Sequence, residues 1–306
     1  MPDVDLTGQT ILITGGAGFI GSHLADALVD ANDVTILDDL STGARENVPE
    51  EATFVEGDVR DEQTVAEVAD DVDLIFHEAA IVSVQQSVEA PQRCHDVTHD
   101  GTLTILERAR HEDARVVFAS SAAIYGEPST VPLDETEPVD PSSPYGIDKC
   151  SADQYVRAYH DLYGLETIAL RYFNVYGPRQ TAGDYSGVIS IFREQANRDD
   201  PITVDGDGTQ TRDFVHVEDV VRANCLAATT EHVGTAYNVG TGEETTIRTL
   251  AEKIRSIADA DSEIVHGDPR PGDIERSCAD ISRARDALGY EPTIALGDGL
   301  ETLFEA

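Results

Sequence analysis

The strongest limit on how this chain can fold is an alternation. Over its first 177 residues, short apolar runs trade places with helical stretches. "TILIT" (10–14) reads as a strand, "FIGSHLADALVDA" (19–31) as a helix, and "VTILD" (34–38) and "ATFVEGDV" (52–59) as strands. "EQTVAEVAD" (62–70) is helical, "DLIFHEAA" (73–80) a strand, "GTLTILERARH" (101–111) helical and "ARVVFASS" (114–121) a strand. A long helix, "YGIDKCSADQYVRAYHDLYG" (145–164), precedes a last strand, "ETIALRYFNVYG" (166–177). Strands that alternate with helices imply right-handed βαβ units and a parallel sheet. "RVVFAS" is apolar on both faces, as a sheet covered on both sides requires. The expectation is an α/β fold, a doubly wound parallel sheet with helices on both faces.

The rhythm changes after about Pro178. "TAGDYSG" and "VDGDGTQTRDF" read as loops, and the helices shorten. We expect a first domain over 1–177 and a smaller C-terminal α/β lobe over 178–306. The stretch at about 216–240 is a candidate to return to the first domain and complete it.

"ILITGGAGFIGSHLADAL" sets Gly15, Gly18 and Gly21 between the first strand and its helix. Glycines allow a tight turn and let a dinucleotide pyrophosphate approach the backbone. The free N–H groups and partial positive charge of the helix start then face the phosphates. The strand–turn–helix context is what gives such a turn meaning. Asp38 ends the second strand, where an acid can bind both ribose hydroxyls and would repel a 2′-phosphate. That favours NAD over NADP; the competing reading is one more surface acid. Asp58, in "GDVRD" after the third strand, is a candidate to bind the adenine amino group.

Composition narrows the partners. Asp and Glu number 59 against 21 Lys and Arg, a formal net charge of −38. Such a field repels nucleic acid and anionic membranes. The acid is dispersed rather than gathered in a tail. Dispersed acid with scarce lysine suits a surface hydrated in a salt-rich cytosol, where a Debye length of ~3 Å at about 1 M screens the self-repulsion. No apolar run approaches the ~20 residues that span a bilayer. The N-terminal stretch "MPDVDLTGQTILITGG" has neither a basic nor an apolar leader segment, so we expect a cytoplasmic protein. Cys94, Cys150, Cys225 and Cys278 form no C-x-x-C and read as small buried residues.

Only two lysines occur in 306 residues, and Lys149 stands four after Tyr145. That spacing puts both on one helix face. A phenol of pKa about 10 is a poor base at neutral pH. An ammonium one turn away would stabilise the phenolate and lower that value. Lysine also carries three donors on a flexible stem and can hold a ribose at the same time. The plain alternative is an ordinary exposed pair.

The glycine spacing is G-x-x-G-x-x-G. With "HEAA" (77–80), "SSAAIYG" (120–126) and "YGIDK" (145–149), the chain closely resembles the extended short-chain dehydrogenase/reductase family. The resemblance runs essentially end to end and implies a Rossmann-type sheet. "RYFNVYGPRQ" (171–180), "GDGTQTRDFVHVEDV" (206–220) and "RPGDIERSCAD" (270–280) look like its nucleotide-sugar branch, nearest to the UDP-glucose 4-epimerases. The resemblance implies Ser121, Tyr145 and Lys149 as the catalytic set. It adds Phe19, Ile20, Asp39, Val59, Ala79, Ala80 and Thr98 to the NAD-binding residues. Thr98 stands where the family commonly has Asn, a departure from its pattern.

On the substrate side, the resemblance implies Arg212 and Arg270 for the diphosphate, Asn174 for the sugar and Asp273 for a ribose. Val188 would line the uracil pocket. Arginine forks suit bidentate phosphate contact. Ser277 stands where a bulky Tyr in related epimerases excludes N-acetylated sugars, so both UDP-Glc/UDP-Gal and UDP-GlcNAc/UDP-GalNAc are expected substrates. The family also implies a homodimer through helices near 91–111 and 145–164.

Two other chemistries of the fold compete: 4,6-dehydration and UDP-glucuronate decarboxylation. Dehydratases carry an Asp-Glu pair after the catalytic Ser/Thr, whereas Ala122 and Ala123 stand here. A non-catalytic NAD-binding module is a third possibility, although such members typically lose Tyr or Lys. "DGDGT" (205–209) mimics a calcium loop, but its twelfth position is His216 where Glu is needed. His77–Glu78 begins H-E-x-x-H, but Ile81 replaces the second His. We therefore expect no metal.

Overall fold

In the computed structural model, the described residues are 6–180, 187–270 and 272–304. The loop reading of "TAGDYSG" lies, apart from Gly187, outside them. The first half runs β1 (Thr10–Thr14), α1 (Phe19–Leu28), β2 (Asp33–Asp38), β3 (Thr53–Glu56), α2 (Glu62–Val68), β4 (Leu74–His77), α3 (Val84–Glu89) and α4 (Pro91–His95). A π-helical turn, Asp96–Asp100, leads into α5 (Gly101–Glu112). Then follow β5 (Arg115–Ser121), α6 (Pro144–Tyr163), β6 (Thr167–Tyr172) and β7 (Asn174–Tyr176). The remainder comprises α7 (Val188–Asn197), β8 (Ile202–Asp205), β9 (Thr211–Arg212), β10 (Phe214–His216), α8 (Val217–Thr229), β11 (Thr235–Val239), β12 (Thr245–Thr246), α9 (Ile247–Ile257), β13 (Ile264–Gly267), α10 (Ser282–Leu288) and α11 (Leu296–Glu301).

Seven parallel strands form the main sheet in the order β11-β6-β5-β4-β1-β2-β3. The winding reverses between β1 and β4, and the carboxyl ends there form the crevice where such sheets bind ligands. Thr14 pairs with both Leu37 and His77, and Ser121 with Tyr172, so the ends of five strands lie along one edge. Apolar side chains alternate across the sheet: Ile11, Ile13, Phe76 and Val117 join α1 and α8 in one core. Leu12, Ile75, Val116 and Phe118 join α5 and α6 in the other. A third core, with Phe192, Val204, Leu250 and Leu300, sits between α7, α9 and α11. All four cysteines are buried and unpaired. Among the described residues, no helix is long and apolar enough to cross a membrane.

The strand expected over 166–177 is two. β6 ends at Tyr172, and the Phe173 N–H then donates to the Val239 carbonyl at 3.0 Å, at the tip of β11. Beyond it β7 leaves the main sheet and pairs with β10, because the Asn174 N–H is taken by the Asp213 carbonyl at 3.0 Å. The strand expected over 73–80 stops at His77, since the Glu78 N–H makes the last bond to β1, at 3.1 Å to Thr14.

The helix α6 is fastened to the sheet by charge. Asp153, 1% exposed, accepts from Arg171 Nε and Nη2 at 3.0 and 3.1 Å and from the Ser120 hydroxyl at 2.8 Å. Arg157 Nε adds a bond at 3.0 Å. Burial alone would push the Asp153 carboxyl up, but the Arg171 bonds and charge hold it below its usual range. Removing one partner of such a pair leaves a buried charge without compensation, costing ~3–5 kcal/mol. Asp153→Ala is therefore expected to lower the unfolding free energy, read from denaturant titration, by that much. Because the folded-state value is depressed, this stabilisation holds above the ordinary carboxylate range and fades as pH falls through the folded value. A variant whose acid-unfolding curve superimposes on the parent's would refute the assignment.

Candidate active site

The glycine turn is shaped by close approach. Gly15 has φ +69°, and a Cβ there would lie 2.8 Å from the Ala79 nitrogen. A Cβ on Gly21 would lie 2.4 Å from the Gly15 carbonyl oxygen, so neither position accepts a larger residue. Gly18 starts α1 without a side-chain cap, and the first turn, which includes Phe19 and Ile20, holds no acid. In a chain with a net charge of −38, that leaves an electropositive helix start open to an anion.

Asp38 borders this turn. Its carboxylate accepts the Ala17 N–H at 3.0 Å and the Leu40 N–H at 2.8 Å, and burial pushes its pKa up against those bonds. Two backbone bonds leave a carboxylate further acceptor sites. Asp39 is exposed and accepts from the Ser41 N–H. Asp58 is clasped by its neighbour Arg60, whose Nε and Nη2 lie 2.9 and 2.5 Å from its oxygens. That bond holds the Asp58 carboxyl below its usual range. Val59 is buried. A Cβ on Gly101 would lie 2.7 Å from its Cγ2.

A buried relay connects the turn to the π-helical segment. The Thr102 hydroxyl donates to the Thr98 carbonyl at 2.6 Å, so its oxygen is left to accept from His77 Nε2 at 3.0 Å. His77 Nδ1 then accepts from the Thr14 hydroxyl at 2.7 Å, and Thr14 in turn accepts the Ala79 N–H at 3.4 Å. These bonds assign the neutral Nε2–H tautomer. Burial agrees, pushing the His77 pKa down to about 3. Thr98 itself is buried and accepts the Ile81 N–H at 3.2 Å, so its hydroxyl oxygen braces the loop after β4, of which Ala80 is part.

Ser121, Tyr145 and Lys149 come together at the carboxyl edge of β5. Ser143 caps α6 by accepting the Gly146 N–H at 3.1 Å, and Pro144 fills its first position. Tyr145, Lys149 and Asp153 then fall at i, i+4 and i+8 on the face against the sheet. Adjacent serines divide two tasks: Ser120 is tied to Asp153, while Ser121 ends β5 at the edge and accepts the Ala123 N–H at 3.1 Å. The Lys149 ammonium donates to the Ala119 carbonyl at 2.6 Å and lies 4.8 Å over the Phe118 ring. Burial pulls its pKa down to about 8.

One electrostatic expectation is corrected. Lys149 was expected to lower the Tyr145 pKa. Burial instead raises it, with the Ser121 bond pulling the other way, and Lys149 is turned to Ala119. Desolvation penalises the phenolate more than its neighbours favour it.

On the other side, the segment Thr211–Asp213 gathers several of the expected substrate residues. Arg212, 12% exposed at its side chain, is ion-paired with Asp273, so that acid meets an arginine here. Asn174 Nδ2 donates to the Asp213 carbonyl at 3.2 Å, and the buried Ser277 gives its N–H to the Thr211 carbonyl at 3.2 Å. Arg270 is not joined to Arg212. It is exposed and pairs with Asp205 at 3.3 Å, although its carbonyl accepts the Asp273 N–H. Val188 opens α7 and packs on the third core.

Sequence reasoning passed over Asp213 and Glu78. Asp213 is fully buried and accepts from the Thr241 N–H and hydroxyl and from the Gly242 and Ala279 N–H groups. Its signal was an acid inside an otherwise apolar "DFVHV" run. Glu78 enters the sequence reading only as part of "HEAA" and of an incomplete H-E-x-x-H, neither of which gives it a role. Among the described residues, His95, His99 and Asp100 lie close enough to share a cation. The two rings stack at 4.6 Å and 10°, which sets their lone pairs side by side rather than converging. Their Nδ1 atoms already face Asp148 and Asp100.

The chain is similar to known proteins over most of its length. The family model described as NAD dependent epimerase/dehydratase family matches residues 11–240. A UDP-glucose 4-epimerase of Mycolicibacterium smegmatis is 39% identical over 303 residues, covering 96% of this chain and 97% of that protein. The structure of UDP-glucose 4-epimerase from Thermotoga maritima with UDP-glucose superimposes with TM-score 0.94 at 40% identity, covering 96% and 97% of the two chains. UDP-N-acetylglucosamine 4-epimerase from Methanobrevibacter ruminantium, in complex with UDP-N-acetylmuramic acid, gives TM-score 0.95 at 37% identity over 98% of each chain. With its seven-stranded parallel sheet and this match over most of its length, the chain is a member of the NAD-dependent epimerase/dehydratase family.

Proposed function

We propose that this protein is an NAD-dependent UDP-sugar 4-epimerase. The observation that carries this reading is Ser121 at the end of β5, followed by Ala122 and Ala123 rather than acids, with Tyr145 and Lys149 one turn apart on the α6 helix that packs on it. The cradle suits NAD: Gly15 and Gly21 leave no room for a side chain, α1 starts without an acid, and Asp38 keeps free acceptor sites toward the ribose. Phe19, Ile20, Asp39, Val59, Ala79, Ala80 and Thr98 complete the proposed cofactor contacts, and Asp58 reaches the adenine if Arg60 yields it.

Bound NAD supplies the acceptor, and then the donor, of a hydride at sugar C4. Tyr145 takes the proton from the C4 hydroxyl as the hydride leaves, giving a 4-keto sugar. Ser121 donates to the C4 oxygen. The keto sugar turns over in the pocket, and Tyr145 returns the proton after hydride reaches the opposite face. Net redox change is zero, so NAD stays bound. Tyr145 is raised by burial, so the phenolate depends on nearby positive charge. We assign that charge to Lys149, whose own pKa burial pulls down to about 8 and which is mostly protonated at neutral pH.

The diphosphate is assigned to Arg212 and Arg270, the sugar to Asn174, the ribose to Asp273 and the uracil pocket to Val188. These residues lie in 178–306 or border it. We read that lobe as the substrate lobe, and 1–177 with β11 as the NAD domain. Exposed Val84 and Val88 on α3, and Ile147, Tyr155 and Leu162 on α6, support a homodimer across these helices. The dispersed acid supports a salt-rich cytoplasm, with neither nucleic acid nor membrane as partner. Sedimentation across a salt series is expected to give a dimer whose folded fraction grows with salt. A monomer at every salt concentration would remove the dimer reading.

Activity is tested with UDP-Gal and UDP-GalNAc, without added cofactor. Expected products are the 4-epimers, with no net NADH. A 4-keto-6-deoxy product or CO2 would replace the reading with dehydration or decarboxylation. NAD bound without turnover of any UDP-sugar would point to a binding module. Ser277 is 3% exposed, so Ser277→Tyr must push its ring into the neighbouring space. That variant is expected to lose UDP-GalNAc turnover and keep UDP-Gal turnover; keeping both would remove the N-acetyl argument.

A further inference from the structure

Asp213 is a fully buried acid to which the chemistry above gives no part. It stands between β9 and β10, where the chain changes sheet partners: β9 pairs with β12, and β10 with β7. Arg212, assigned to the diphosphate, is its neighbour in sequence.

One side of this junction is a short ladder. The Thr211 N–H donates to the Glu275 carbonyl at 2.9 Å, and the Ser277 N–H to the Thr211 carbonyl at 3.2 Å. In a parallel ladder the next donor, the Ala279 N–H, would meet the Asp213 carbonyl. That carbonyl is turned the other way. It accepts the Asn174 N–H at 3.0 Å and Asn174 Nδ2 at 3.2 Å. The carboxylate takes its place, and Oδ2 accepts the Ala279 N–H at 3.1 Å. One residue thus holds Asn174 through its backbone and the segment with Ser277 through its side chain. Arg212 is fixed between them. Its Nη1 turns back to the Thr211 carbonyl at 2.7 Å, the same oxygen that Ser277 bonds.

The carboxylate also gathers a third segment. Oδ2 accepts the Gly242 N–H at 2.9 Å, and Oδ1 accepts the Thr241 N–H at 2.8 Å and its hydroxyl at 2.6 Å. With Ala279, all four of these donors are neutral, so the charge serves no ion pair. What the place demands is an acceptor with about four lone-pair sites and no hydrogen, and an ionised carboxylate offers that. Asparagine would turn an NH2 group toward N–H groups that cannot reverse. The space is closed as well: a Cβ on Gly240 would lie 2.6 Å from Asp213 Oδ2 and 2.8 Å from the Ala279 Cβ.

We propose that Asp213 is a positioning residue for the nucleotide-sugar site: its carbonyl and its buried carboxylate lock Asn174, Arg212 and Ser277 into the one arrangement that fits the nucleotide diphosphate and its sugar. The assignment rests on the UDP-sugar reading above.

UDP binding to the purified protein, followed by titration calorimetry with bound NAD measured in the same samples, tests the clamp. In Asp213→Asn the dissociation constant for UDP is expected to rise by about tenfold or more, as the loss of bonds to a charged acceptor would give. Bound NAD is expected to stay at the parent level, because the glycine turn and Asp38 lie on other strands. The KM for UDP-Gal is expected to rise by more than kcat falls, since Ser121, Tyr145 and Lys149 stand on β5 and α6. A residue that only packs would lower the melting temperature and leave the UDP affinity of the folded protein unchanged, and that outcome overturns the proposal.

Thr241→Val decides the question if Asp213→Asn does not fold. It withdraws the shortest bond to the carboxylate and leaves the charge and the N–H donors in place. UDP is then expected to bind about threefold more weakly, and parent affinity overturns the proposal. A parent protein that binds UDP, is weakened by Asp213→Asn as expected and epimerises no UDP-sugar would sink the epimerase reading and leave the clamp standing. A parent that epimerises UDP-Gal, with Asp213→Asn binding UDP equally well, would do the reverse. A parent that does not bind UDP overturns both.

Discussion

The site depends on one buried ion pair. Asp153 joins α6 to Ser120 on β5 and to Arg171 on β6, away from water. It lies one turn beyond Lys149 and two beyond Tyr145 on the same helix face. Fixing Asp153 therefore fixes the rotation of α6, and with it the height of Lys149 over Ala119 and of Tyr145 beside Ser121. The pair also extends outward. Arg171 Nη1 donates to the Tyr125 oxygen at 2.9 Å, and the Tyr125 hydroxyl to Asn238 Oδ1 at 2.7 Å. Asn238 Nδ2 then reaches the Leu133 and Asp280 carbonyls, near the segment that carries Ser277. The proposed acid–base end and the proposed sugar end are thus parts of one polar framework.

Desolvation, rather than pairwise attraction, governs the ionisable groups at this edge. Burial is the first cause of the shifts at Tyr145, Lys149, Glu78, His77 and Asp38. Each is moved toward its neutral form. A chain with a net charge of −38 could meet the same end by scattering cations, but it keeps two lysines and buries one of them. The buried Lys149 ammonium is met by the Ala119 carbonyl and the face of the Phe118 ring. Surface acid serves hydration and is cheap to place; the acids that matter here are the few with little solvent around them.

Much of the fold was legible because its signals are local. The glycine turn, the apolar strands and the long helix that is α6 each follow from residues close in sequence. The Tyr145–Lys149 spacing was legible for the same reason. The break after Tyr172 was not, since it follows from Phe173 bonding to Val239, across more than 60 residues. Asp213 and Glu78 were hidden for a related reason. An acid in an acid-rich chain stands out little by composition, and these two are marked by the bonds they make in the folded chain. The Arg212–Asp273 pair was likewise out of reach, because two residues assigned separate ligands turned out to hold one another.

The sequence by itself determined the parallel sheet, the turn at its first strand and the one-turn spacing of Tyr145 and Lys149. Periodicity and glycine placement act through the backbone within a few residues, so they can be read in order. Tertiary structure decided which way charge runs in the site. It turned Lys149 to Ala119, raised the Tyr145 phenol instead of lowering it, and bonded the Tyr172 hydroxyl to Glu78. Those outcomes depend on how much water each group loses, and that is fixed only when β4, β6, α6 and α8 pack together.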